Sequence, residues 1–231
     1  MKARLLAALL LALPLTAGAE PPKFRVAPSD GLNEPGKKPV SDEAQALAKK
    51  AMIAMAKGDL AGAKKDFQKV LTLAPDNVAT TINLGLVAYR QKQYAEAERL
   101  LKKAVRAQPE AGLGWLVLGV IAYDQDKLDA ALAALAQAAL LEPKNATVHQ
   151  YLGVTLGKKG WLSGAEEEMR KAIEIEPGYA EAHFNLAVFY LHRSPPSVEL
   201  ARRHYQKSLD LGAAPDADVA KGLGERMKNE E

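Results

Sequence analysis

One pattern of small residues and helix-ending prolines recurs through the chain with a spacing of 34 residues. It is complete in the segment Gly112–Pro143, and it returns in register on both sides of that segment. The recurring positions hold a glycine (Gly85, Gly119 and Gly153), an alanine (Ala63, Ala97, Ala131 and Ala165) and a proline (Pro75, Pro109, Pro143 and Pro177). A fixed period of this length is typical of an array of stacked units, each of which buries its apolar face against its neighbours.

Within the segment, apolar residues recur at helical spacing in two runs. Trp115, Leu118 and Ala122 are three and four residues apart, which predicts one buried helical face. A second run begins at Leu128 and ends before Pro143, which cannot continue a helix. We therefore expect two antiparallel helices in each repeat. Small side chains at the recurring positions would let the two backbones approach closely.

The skeleton Trp115-x2-Leu118-Gly119, followed by Ala131 and Pro143, resembles the tetratricopeptide repeat (TPR). The resemblance extends over about five repeats, from Ala44 to Ala214. It implies an all-α fold: a right-handed α-α superhelix, or TPR solenoid, of about five helix pairs plus a C-terminal capping helix. It also implies a concave groove lined by the first helix of each pair, which binds peptides or proteins and is usually not catalytic.

The chain divides, on this reading, into four parts. Residues 1–19 are predicted to be a signal peptide, residues 20–40 a Pro-rich extended leader, and residues 216–231 the C-terminal capping helix. The TPR array would span residues 41–215. Its predicted repeats are 41–75, 78–111, 112–145, 146–179 and 180–215.

The first residues have the features of a secretory signal. Lys2 and Arg4 precede an apolar run from Leu5 to Leu15, and Ala17 and Ala19 suit signal peptidase. No apolar run reaches the ~18 residues of a membrane span, and no cysteine is present to carry a lipid anchor or a disulfide. We therefore expect an exported bacterial protein, periplasmic or extracellular, with no transmembrane segment and no lipid anchor.

Charge and motif content exclude several classes of function. Loss of Lys2 and Arg4 with the signal would lower the net charge from +3 to +1, which does not favour nucleic acid as a partner. The four histidines (His149, His183, His192 and His204) show no metal-ligand spacing, and no phosphate-binding or nucleophile motif is present. We expect no enzyme activity, no cofactor and no metal; His149 and His183, in register with Trp115, would pack between helices.

The resemblance places the predicted partner-binding groove on thirteen residues of the first helices. They are Ile82, Leu86, Tyr89, Arg90, Leu116, Val120, Tyr123, Asp124, Gln150, Val154, Lys158, Phe184 and Val188. Tyr89 and Tyr123, one repeat apart, are the predicted anchors for a partner, because tyrosine offers a large contact area and a polar tip. The alternative is that these residues only pack first helices together. The alternating charges of Arg90, Asp124 and Lys158 suggest ion pairs between repeats.

Two further features leave alternatives open. The leader that carries Phe24 and Val26 could be a simple spacer, or these two residues could dock into the groove as an internal ligand. Trp161, which follows Gly160 in a turn, could be exposed to a partner or folded over the neighbouring hairpin beside Leu162.

The function predicted from these features is that of a non-catalytic scaffold in the bacterial cell envelope, which binds a peptide or protein segment in its groove. One alternative is a carrier of a lipid or other small hydrophobic ligand. A second is an accessory subunit that tethers a catalytic partner. The sequence does not identify the partner.

Overall fold

A computed structural model describes Phe24 and residues 40–227. The predicted signal peptide, most of the predicted leader and the last four residues lie outside the described residues. The described part of the chain forms eleven α-helices and contains no strand. The helices are α1 Asp42–Ala56, α2 Leu60–Leu73, α3 Val78–Arg90, α4 Tyr94–Ala107, α5 Gly112–Asp124, α6 Leu128–Leu141, α7 Ala146–Lys158, α8 Leu162–Ile175, α9 Ala180–His192, α10 Val198–Asp210 and α11 Ala217–Met227.

These helices confirm the predicted all-α class of consecutive helix pairs followed by one C-terminal helix. The described residues fall into two compact units, an N-terminal unit that ends at Leu141 and a C-terminal unit that begins at Glu142. None of the helices described is long and apolar enough to cross a membrane.

The N-terminal unit contains three helix hairpins, α1–α2, α3–α4 and α5–α6. The second helix of one hairpin packs on the first helix of the next, and the first helices α3 and α5 also meet. Burial follows this arrangement, since every described residue of α3 from Thr80 to Tyr89 is buried. By contrast, α4 buries one stripe and exposes a charged face.

The C-terminal unit contains two hairpins, α7–α8 and α9–α10, and ends with α11 against α9 and α10. Val219 and Leu223 of α11 are buried, as expected for a helix that covers the last hairpin. The Tyr205 hydroxyl ties this helix to α10: it receives the Asp216 N–H at 2.8 Å and donates to the Asp216 carbonyl at 3.0 Å.

Side-chain caps explain where several helices begin. The Ser41 hydroxyl accepts the Ala44 N–H before α1, and Asp59 and Asn77 accept in the same way before α2 and α3. Such caps satisfy N–H groups that have no partner within the helix.

The recurring glycine lies where the two helices of a hairpin cross. A Cβ built on Gly119 would be 2.6 Å from Leu135 Cγ and 3.2 Å from the Leu135 backbone nitrogen. A Cβ built on Gly85 would be 2.8 Å from Leu101 Cγ, and the recurring Ala63, Ala97, Ala131 and Ala165 are fully buried. The close helix approach predicted from these positions is confirmed.

Trp115 differs from the prediction. Leu118 and Ala122 of the same helix are buried, but Trp115 is only partly buried. It lies in the first turn of α5, where its indole Nε1 donates to the Pro109 carbonyl at 2.8 Å. Its ring therefore covers the start of the helix instead of filling the interior.

Candidate partner-binding surface

In the N-terminal unit, the predicted groove residues lie on α3 and α5, whose ends the structure brings together. The apolar ones, Ile82, Leu86, Leu116 and Val120, are at most 4% exposed. Tyr89 and Tyr123 are 6% and 5% exposed. These side chains therefore pack among the helices of the unit, and only their immediate surroundings offer a surface to another molecule.

The C-terminal ends of α3 and α5 are joined by a hydrogen bond from Tyr89 to Asp124. The Tyr89 hydroxyl donates to Asp124 Oδ2 at 3.0 Å, and Asp124 is exposed. Burial, together with the nearby negative charge of Asp124, raises the pKa of the Tyr89 hydroxyl well above its ordinary value. Tyr89 therefore stays protonated and holds the carboxylate at the surface.

Tyr123 precedes Asp124 and occupies the equivalent place one repeat later. Burial first, and then the charges of Asp124 and Asp126, raise the pKa of its hydroxyl to about 12. The two tyrosines are thus both neutral, and this end of the N-terminal unit carries its negative charge on carboxylates.

Arg90, like Asp124, forms a hydrogen bond with the preceding repeat. Its guanidinium donates from Nη1 to the Met55 carbonyl at the end of α1, at 3.1 Å. Arg90 and Asp124 therefore each reach a group 35 residues earlier, a backbone carbonyl in one case and a tyrosine hydroxyl in the other. Ion pairs between repeats were predicted for these residues, whereas these two contacts are hydrogen bonds to uncharged groups.

Two aromatic residues outside the predicted set complete this surface. The Phe24 ring is 6% exposed and packs edge-on against Tyr89, with ring centroids 5.7 Å apart at 71°. Tyr94, the first residue of α4, lies 6.1 Å from Tyr89, centroid to centroid. We call Tyr89, Tyr94 and Asp124 the aromatic–acidic site.

The remaining predicted groove residues lie in the C-terminal unit. Val154, Phe184 and Val188 are buried and Lys158 is partly buried. Gln150 is 1% exposed and accepts a hydrogen bond from the Tyr179 hydroxyl at 3.3 Å. Because these side chains are mostly buried within their own unit, packing accounts for what the structure shows of them.

Trp115, His149 and His183 share a contact that sequence reasoning missed. One nitrogen of each ring forms a hydrogen bond with the carbonyl of the helix-ending proline six residues earlier. The pairs are Trp115 with Pro109 at 2.8 Å, His149 with Pro143 at 2.9 Å and His183 with Pro177 at 3.2 Å. The register of the three rings with the prolines was the available signal. The bond gives a partner to a carbonyl left free by the turn between repeats.

The two histidines have opposite electrostatic environments. His149 Nδ1 lies 2.6 Å from Glu168 Oε2, and the hydrogen bond that the ring donates to this carboxylate raises the pKa of His149. His183 Nδ1 instead lies 3.0 Å from His204 Nδ1. Burial, with the neighbouring charges, lowers the pKa of His183 and brings that of His204 to about 4.

Trp161 is exposed to 56%, so its ring is not folded over the neighbouring hairpin. Lys159 Nζ lies 5.5 Å from the ring centroid, a cation–π distance. In the part of the chain that the structure describes, no group of three or more His, Asp or Glu side chains is arranged to hold a metal ion.

Three family models match the chain, each described as a tetratricopeptide repeat. They match residues 54–121, 146–179 and 168–210. No curated protein sequence matches the chain.

Solved structures with the same fold cover most of the chain. A crystal structure of MamA is 27% identical and covers 70% of this chain and 93% of its own, with a TM-score of 0.60. YrrB, described as a TPR protein with an unusual peptide-binding site, is 24% identical and covers 80% of this chain and 92% of its own, with a TM-score of 0.60. PilF of Pseudomonas aeruginosa is 18% identical and covers 83% of this chain and 93% of its own, with a TM-score of 0.71.

The matched residues contain the recurring glycines and, except for Ala131 and Pro143, the recurring alanines and prolines, and the helices there follow one another in pairs. The chain therefore belongs to the tetratricopeptide repeat family.

Proposed function

We propose that this chain is a non-catalytic scaffold of the cell envelope, which binds a protein or peptide segment at the first helices of its repeats. The family generally serves as an interaction module, which supports the class of function. The observation that carries the proposal is the aromatic–acidic site, where Tyr89, Tyr94 and the exposed Asp124 meet in the N-terminal unit.

This site has the chemistry of a peptide-binding surface. Tyr94 is partly exposed and provides aromatic area at little entropic cost, since tyrosine has few rotatable bonds, and the buried Tyr89 ring lies beside it. The Asp124 carboxylate accepts the Tyr89 hydroxyl and is exposed, so it presents a negative charge beside the two rings to a basic or N–H group of a partner. An extended segment with an apolar side chain beside such a donor would match it.

Location in the envelope is supported by the sequence of residues 1–19, with its basic start, apolar run and small-residue cleavage site. The mature protein would begin at Glu20 and would reach its partner after export.

The proposal is tested by charge reversal at the site. Asp124→Arg should weaken capture of the partner, identified by crosslinking in the native compartment, by at least tenfold, because an anchor in an interface typically contributes ~2 kcal/mol or more. Asp124 is exposed, so the helical signal of the variant should be unchanged.

The matched control is Lys103→Glu, a charge reversal at an exposed position of the second helix α4. It should leave capture within about twofold, since charges outside an interface mainly change the association rate. If Lys103→Glu abolished capture and Asp124→Arg did not, the partner would bind the second helices and the proposal would be wrong.

A further inference from the structure

Phe24 lies far from the aromatic–acidic site in sequence but is buried against it. Its exposed fraction is 6%, and its ring meets Tyr89 edge-on at a centroid distance of 5.7 Å. This geometry is the one that aromatic pairs prefer, because the positive edge of one ring faces the negative face of the other. The Tyr89 hydroxyl is bonded to Asp124, so the ring of Tyr89 is held in place for this contact.

The sequence around Phe24 complements the charge of the site. Lys23 and Arg25 flank Phe24, while Asp124 is exposed beside Tyr89. Phe24 is also the only aromatic residue between Glu20 and Val40. The leader thus carries one basic–aromatic–basic triplet, and its aromatic residue is seated on the acidic, aromatic surface.

We propose that the triplet Lys23-Phe24-Arg25 is an internal ligand of the aromatic–acidic site. The external partner would then present an aromatic side chain next to basic residues, and it would bind by displacing the triplet. This inference rests on the proposed function, because it assigns both the natural competitor and the chemistry of the partner at the same site.

The connection between ligand and site makes this competition effective. Residues 25–39, with three prolines and two glycines, join Phe24 to Val40, immediately before α1. A short tether of this kind holds its ligand at an effective concentration on the order of millimolar. A weak internal contact can therefore reduce the apparent affinity for a partner that binds the same site.

A synthetic peptide of residues 20–40, carrying a fluorophore, tests the inference directly. It is titrated to about 1 mM, the effective concentration of a short tether, against the full chain and against its Phe24→Ala variant. We expect a Kd at least tenfold lower for Phe24→Ala, whose site is empty, than for the unaltered chain. Val26→Ala is the matched control, because it truncates an apolar leader residue outside the triplet and should behave as the unaltered chain.

Two further comparisons identify the groups involved. A peptide with Phe24 replaced by alanine should bind the Phe24→Ala chain at least tenfold more weakly than the unaltered peptide. Adding Tyr94→Ala to the Phe24→Ala chain should also weaken binding, since Tyr94 is partly exposed beside Tyr89. If Phe24→Ala loses its helical signal, Phe24→Leu serves in its place, because it keeps the apolar volume and loses the aromatic edge.

Three results would overturn the inference: equal affinity for the two chains, no binding at about 1 mM, or equal binding of the two peptides. Light scattering adds a fourth, because a dimer that dissociates on Phe24→Ala would mean that the triplet of a second copy occupies the site. None of these results bears on the proposed function, which depends on the effect of Asp124→Arg on partner capture.

Discussion

At the scale of single residues, the contact between His183 and His204 sets a direction for the effect of pH. A carbonyl can only accept, so the bond to Pro177 places a proton on His183 Nε2, and Nδ1 of the neutral ring accepts from His204 Nδ1–H. Two imidazolium rings would point N–H groups at each other. The pair is therefore favourable only when at least one ring is neutral.

The consequence is a loss of stability in mild acid. The pKa of His204 is lowered to about 4, from an ordinary value of 6.5, by burial and by the charges of His183, Arg170 and Arg203. An unfolded chain binds this proton first, so the stabilisation is complete above pH 6.5 and is lost as the pH falls toward 4. We expect about 1–2 kcal/mol, since one pKa unit is worth about 1.4 kcal/mol and partial exposure reduces the effect.

Urea unfolding at pH 7.5 and pH 5 measures this loss of stability, and His204→Phe should reduce the loss.

His149 acts in the opposite sense, because Glu168 raises its pKa. Its contribution to stability is complete below pH 6.5 and is lost as the pH rises through its folded pKa. His149→Phe should therefore steepen the loss in acid. The same slope in all three chains would contradict this assignment.

The sequence predicted only some of the residues of the candidate site. The 34-residue register placed Tyr89 and Asp124 on first helices, and the structure brings the two together. The sequence left open whether Tyr89 and Tyr123 face a partner or pack between helices, because their burial depends on neighbours distant in sequence, such as Phe24 for Tyr89. Tyr94 was missed because its place at the start of a second helix carries no periodic signal for a groove.

At the scale of helices, the crossing of α5 and α6 depends on the absence of a side chain at Gly119. Gly119→Ala should destabilise the protein by about 1–3 kcal/mol, because the new Cβ would lie 2.6 Å from Leu135 Cγ and 3.2 Å from a backbone atom that cannot rotate away. Thermal or urea unfolding measures the loss.

The matched control is Gly224→Ala in α11, where a Cβ would meet nothing within 4 Å. This substitution should be neutral or should stabilise by up to about 1 kcal/mol, because alanine lowers the entropy of the unfolded chain and favours helix. A Gly119→Ala variant as stable as Gly224→Ala would show that the two helices do not approach as closely as described.

Helix boundaries were predictable for reasons of local chemistry. The caps Ser41, Asp59 and Asn77 and the prolines that follow the second helices act within a few residues of sequence. The partial exposure of Trp115 was not predictable, because the same apolar spacing suits a ring inside the interface and a ring that covers the start of its helix.

At the scale of the whole molecule, we predict that the chain is exported and that its first 19 residues are removed. We expect protein recovered from the cell envelope to begin at Glu20, because Ala17 and Ala19 fit the small pockets of signal peptidase. N-terminal sequencing or intact mass measures this. Ala19→Arg should block cleavage and leave the precursor, whereas mature chains that retain Met1 would contradict the prediction.

The hydrogen bond between a ring and a proline carbonyl also has a consequence for how repeats can change after duplication. An indole at Trp115 and imidazoles at His149 and His183 fill the same role with different chemistry. Duplicated repeats can therefore diverge at this position without a change of backbone. An indole at this position does not titrate, so the contact between repeats does not depend on pH. An imidazole at the same position can bind a proton. Repeats with the same backbone can therefore differ in how their stability depends on pH.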